Sequence, residues 1–145
     1  MKNRAYAYQT GIQAYCQRVI DAFHPDCIIL HGSVARGQEQ PHSDVDILVI
    51  GGALPDNFFE RIYALNRLRV DETPIEVIGY TRPEWEAMMK SFHLTVLESL
   101  EWGLPLYGEA LFDQWKARLE AWKRAGLKRG KWGWDASPVL LRDAG

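Results

Sequence analysis

Cysteine is scarce in this chain, and its two copies, Cys16 and Cys27, stand in no CxxC pair and no Cys/His cluster. That argues against structural zinc and against a disulfide framework, and leaves both thiols as small buried hydrophobes. Long apolar runs are missing as well. No stretch approaches the ~20 residues that span a bilayer, and "MKNRAYAYQTGIQAYC" holds no signal-peptide core. The expectation is a cytoplasmic protein with no membrane contact. Charge of one sign is also lacking: a net charge of −2 gives no global footprint for nucleic acid. Internal repeats and long linkers are absent. What is present is ordinary in bulk, 47% apolar and 25% charged over 145 residues, enough for one domain with a real core.

Periodicity supplies the elements. Tyr8, Ile12, Tyr15, Val19 and Phe23 fall at helical spacing within 5–23, and His24 before Pro25 closes that helix. "CIILHG" (27–32) and "DVDILVIGG" (44–52) read as buried strands. "PDNFFERIYALNRLRV" (55–70) reads as a helix with Phe59, Ile62, Leu65 and Leu68 as its apolar stripe. "TPIEVIGY" (73–80) is a third strand, with Ile75, Val77 and Gly79 on one face and Glu76, Ile78 and Tyr80 on the other.

Thr81-Arg82-Pro83-Glu84 has the form of a capping box, which predicts a helix over 82–90. Further helices are expected over 92–102, ending at Gly103, and over 110–126, with a short edge strand at Leu106-Tyr107 between them. Leu111, Trp115, Leu119 and Trp122 share one face of the last helix and read as core packing. The fold class is therefore α/β (α+β), helices layered on one sheet of about three to five strands. Residues 1–145 form a single domain, with 1–23 as an N-terminal helix and 110–145 as a helical, basic, Trp-containing extension.

The chemistry concentrates in "LHGSVARGQEQPHSDVDILVI" (30–50). Side chains alternate along a strand, so Asp44 and Asp46 share a face, about 7 Å apart. Two carboxylates so placed repel each other in a low dielectric, and a bound cation resolves the conflict. Oxygen-only ligands favour a hard ion, Mg²⁺ first and Mn²⁺ as the alternative. Glu76, a lone acid among apolar neighbours in "PIEVIG", joins them if its strand lies beside 44–50. Three carboxylates around two ions would make a two-metal phosphoryl-transfer site. Gly32 and Ser33 supply the other half: a turn that lets backbone approach a phosphate, with Ser33 opening a short helix over "SVARG" and Arg36 in reach of a phosphate oxygen. His31 and His42 flank the site but read as structural or solvent-facing, and His24 and His93 as surface or cap residues.

The set "HGSVARGQEQPHSDVDILVI" with "IEVI" resembles the signature of the polymerase-beta-type nucleotidyltransferases, in particular the minimal single-domain members, over about residues 24–110. "LESLEWGLPLYGE" is similar to that family's closing segment. The resemblance implies a nucleotidyltransferase fold, whose sheet is mixed with helices flanking it, and transfer of a nucleoside monophosphate, with ATP the expected NTP, onto a hydroxyl. By position it makes Asp44, Asp46 and Glu76 the catalytic and metal-binding acids, and Gly32 and Ser33 the triphosphate seat. Glu stands at 76 where many members carry Asp. Small members resemble the antitoxin half of a pair with a small all-helical toxin, whose tyrosine would be the acceptor. Transfer to a small molecule, as in aminoglycoside-modifying relatives, and a non-catalytic binding module are the competing expectations. The run Lys116, Arg118, Lys123, Arg124, Lys128, Arg129 and Lys131 reads as a solvated face. Alternation with Trp132 and Trp134 gives it a second reading, as a grip on an acidic partner or an RNA backbone.

Overall fold

The computed structural model describes residues 7–38, 44–131 and 133–144. Of the residues singled out above, His42 and Trp132 lie outside that range. Elements follow in the order α1 (Gln9–Phe23), β1 (Cys27–His31), α2 (Gly32–Arg36), β2 (Val45–Ile50), α3 (Phe58–Asn66), β3 (Ile75–Tyr80), α4 (Arg82–Lys90), α5 (Leu94–Trp102), β4 (Leu104–Tyr107), α6 (Glu109–Arg124), β5 (Lys128–Gly130), β6 (Gly133–Asp135) and α7 (Ser137–Ala144). The main sheet has four strands in the order β3-β2-β1-β4, and β5-β6 form a separate hairpin. β1 runs antiparallel to both β2 and β4, whereas β2 and β3 are parallel. This is the mixed sheet with flanking helices expected of a nucleotidyltransferase fold.

Both faces of the sheet are covered, which is why β1 and β2 are apolar on consecutive residues rather than alternate ones. Ile28, Leu30, Ile47 and Val49 pack with Ile12, Tyr15 and Val19 of α1 and Leu65 of α3. Ile29, Leu48 and Ile50 turn the other way, onto Trp85 and Met89 of α4, Leu97 and Leu100 of α5, and Trp115 and Leu119 of α6. Each fully buried Ile or Leu contributes roughly 1.5–3 kcal/mol. Cys16 and Cys27 lie in these layers as free thiols, both pushed up to about 12 by burial. No helix among the described residues is long and apolar enough to cross a membrane.

Several boundaries move. Tyr8 adopts a left-handed conformation (φ 61°), so the first helix begins at Gln9 rather than at residue 5. The helix expected over 55–70 spans only Phe58–Asn66, and its buried stripe is rotated: Phe59 is 79% exposed, while Arg61 is buried at 1%. All five N–H donors of Arg61 find acceptors. Nε donates to the Pro55 carbonyl (2.8 Å), Nη1 to Gly79 (2.9 Å) and Glu84 (2.8 Å), and Nη2 to Asp56 (2.9 Å) and Glu84 (3.3 Å). The capping box forms as expected, Thr81 accepting from the Glu84 backbone N–H and Glu84 from that of Thr81. Beyond α6 the chain is not simply helical, since Lys128–Gly130 and Gly133–Asp135 pair as a hairpin.

Arg61 therefore joins α3, the end of β3 and the start of α4. Arg61→Met leaves three carbonyls and Glu84 without their donor. We expect a loss of roughly 2–3 kcal/mol, the lower end for a broken buried pair because Glu84 is half exposed. An unchanged midpoint in urea unfolding would contradict this role.

Candidate active site

β1 ends at His31, and the chain reverses through Gly32, whose φ of 76° suits glycine. A Cβ at that position would also run into the Asp46 carboxylate, so the turn lies directly against that side chain. Ser33 follows in the first turn of α2. Across the sheet, Asp46 is in register with His31 of β1 on one side and with Glu76 of β3 on the other. Residues in register share a face, so His31, Asp46 and Glu76 form a row across three strands, each step about 4.8 Å. Asp44 lies exposed just before β2. Asp46 is half-buried and Glu76 exposed at the sheet edge.

Burial, and then the Asp44 charge, push the Asp46 carboxyl above its ordinary range. Burial pushes His31 down, with Glu76 pulling the other way, which leaves the imidazole neutral at pH 7. The donor set is oxygen-only and acidic, and a cation beside Asp46 would reverse the penalty it carries. Asp44, Asp46 and Glu76 thus fit a hard divalent ion in chemistry and in face. Their side chains are not drawn together: among the described residues no group of three His, Cys, Asp or Glu is gathered closely enough to hold a metal.

Arg36 behaves differently from a free phosphate ligand. Its guanidinium lies over the Trp102 ring at 4.7 Å and 3.8 Å from Glu98, both on α5. The sequence reading did not single out Glu98 and Trp102. They stand four residues apart and so share a helical face, but nothing in "LESLEW" says that α2 packs there. A cavity of about 630 Å³ beside Trp102, Pro105 and Phe112 touches the last turn of α2 and none of the three carboxylates. The basic run is largely ion-paired within the chain: Lys116 and Lys123 with Glu101 and Glu120, Arg118 with Glu86, Arg129 with Glu98. Trp134 Nε1 donates to Glu98. These pairs favour the solvated face over a grip on RNA. His93 and His24 are cap residues of α5 and α1.

The glycine-serine turn and the acidic row thus come together on one mixed sheet. The sequence profile of the family described as "Polymerase beta, Nucleotidyltransferase" matches residues 12–88, just over half of the chain, which places it in that family. No curated protein is matched by sequence. Among solved structures, a candidate nucleotidyltransferase from Sulfolobus solfataricus is 25% identical with a TM-score of 0.45, over 54% of this chain and 70% of that one. A structure described as a toxin-antitoxin with AMP-PNP is 16% identical with a TM-score of 0.51, over 77% of this chain and 86% of its own. The latter likeness is one of fold.

The raised Asp46 carboxyl has a definite sign. Its proton is held more tightly in the folded than in the unfolded state, so its contribution favours folding at low pH. That contribution is lost as pH rises through the folded value. Asp46→Asn is expected to melt roughly 2–4 °C above wild type at pH 7. The gap should close once the pH falls below the ordinary carboxylate range. Added Mg²⁺ should raise the wild-type melting temperature and leave the variant nearly unmoved. Melting curves against pH, with and without Mg²⁺, test both.

Proposed function

We propose that this chain transfers a nucleoside monophosphate, AMP from ATP in the first instance, to a hydroxyl on a partner protein. The observation that carries the reading is the register of Asp46 with Glu76, on a strand that the Gly32-Ser33 turn closely approaches. Asp44, Asp46 and Glu76 would hold Mg²⁺, as one or two ions, which polarises phosphoryl oxygens and offsets developing negative charge. The chain's own residues position the rest. Gly32 and Ser33 seat the triphosphate through backbone approach and the hydroxyl. Glu76, exposed at the sheet edge, is where an acceptor can arrive from solvent, and its carboxylate takes the hydroxyl proton. The acceptor oxygen bonds to the α-phosphorus while the bond to the pyrophosphate oxygen breaks. Neutral His31 adds no charge to the row.

A protein acceptor is supported by membership of a family with small single-domain members. The fold is also shared with a toxin-antitoxin structure holding AMP-PNP. The test is incubation with Mg²⁺-ATP and the product of the adjacent gene, followed by intact mass of both proteins. One AMP added to the partner is expected, and none with Asp44→Ala/Asp46→Ala, a loss of more than roughly 100-fold. An unmodified partner across all four NTPs would sink the reading. Neutralisation of that partner by the double variant, with no transfer by wild type, would make the chain a binding module.

A further inference from the structure

Glu98 gathers more donors than its own stability calls for. Arg129 of β5 meets it in a two-pronged pair, Nη2 to Oε1 at 3.0 Å and Nε to Oε2 at 3.2 Å. Trp134 Nε1 of β6 adds a bond at 3.0 Å, and Arg36 of α2 stands off at 3.8 Å. Two guanidiniums and an indole N–H converging on one carboxylate are the donor set that would equally hold a phosphate. The cluster is open to a small anion, since Glu98 is 26%, Arg36 31% and Arg129 43% exposed. Its place matters too. Ser33 and Arg36 are three residues apart on α2, neighbours on a helical surface and about 4.5 Å apart along the axis. A polyphosphate seated at Ser33 therefore extends toward Arg36. The Trp102 ring gives that arginine a second contact besides Glu98.

We propose that Arg36 and Arg129 form a cradle for the terminal phosphates of the nucleotide, and that Glu98 occupies this cradle until a polyphosphate displaces it. This rests on the nucleotide-transfer reading, and it brings the C-terminal hairpin into substrate binding. Glu98 also competes with the ligand, so removing its charge improves binding instead of weakening it. Gln at 98 keeps an oxygen to accept from Trp134 and Arg129 but no longer neutralises the arginines. Glu101, the other acid acting on Arg129, is already paired with Lys116 and Lys123.

Calorimetry on the full chain with Mg²⁺ present, using AMP-PNP, AMP and inorganic pyrophosphate as probes, decides the matter. Glu98→Gln is expected to bind AMP-PNP and pyrophosphate roughly tenfold tighter, and Arg129→Met roughly tenfold more weakly. AMP, which lacks the terminal phosphates, should move far less. Arg129→Lys, which keeps the charge but loses the fork, should fall between and stands in if Arg129→Met does not fold. If wild type binds AMP-PNP and Glu98→Gln binds it no tighter, the cradle is wrong. If no protein binds nucleotide, yet pyrophosphate binding follows the pattern above, the cradle stands and the transferase reading falls. If neither probe class binds wild type or Glu98→Gln, the cradle is overturned.

Discussion

A buried guanidinium holds the edge of the sheet. Arg61 sits among acceptors from the loop before α3, from β3 and from the first turn of α4, with no N–H left over. A charge so deeply buried is tolerable only because every donor is matched. Burial pushes the Glu84 carboxyl up, but the Thr81 backbone N–H and Arg61 outweigh that and bring it below its usual range. The same contact explains the bare backbone at Gly79, where a Cβ would press on Leu65 and Arg61. With β3 fixed in this way, its parallel register to β2 is fixed, and so is the position of Glu76 beside Asp46.

The site then follows from sheet geometry. Three strands each contribute one polar residue to a single row, and the Gly32 turn comes close to its middle member, Asp46. Nearby cations have contacts of their own within the chain: Arg36 against Trp102, Arg129 against Glu98, Lys116 and Lys123 against Glu101. The two arginines, Arg36 and Arg129, thus share one acid of their own chain, Glu98.

Much of this was legible in the sequence, where the signals are local. The capping box at Thr81 and Glu84 predicted a helix over 82–90, and α4 spans those residues. Alternation in "PIEVIG" put Glu76 on its face before any pairing was known. The failures share a cause, which is tertiary context overriding a local rule. Helical spacing puts Phe59 in the apolar stripe and gives no sign that Arg61 is buried. The structure reverses it, since only Arg61 finds five acceptors within reach. The sequence places Arg36 within reach of a phosphate and gives no sign of Glu98 and Trp102, which lie more than sixty residues away on α5. The hairpin Lys128–Gly130 with Gly133–Asp135 is too short and glycine-broken to show a period.

The parallel pairing of β2 with β3 has a consequence in time. Parallel neighbours need a crossover, here through α3, so Asp46 and Glu76 meet across thirty residues of chain. Contacts of that separation form late, after local helices and the β1–β2 hairpin. They must also bring two like charges side by side, which β3 docking has to overcome. The acidic row is therefore complete only once the parallel β2–β3 crossover has formed, and β1–β2 pairing alone does not assemble it. A half-folded chain displays Asp44 and Asp46 without Glu76 in register beside them.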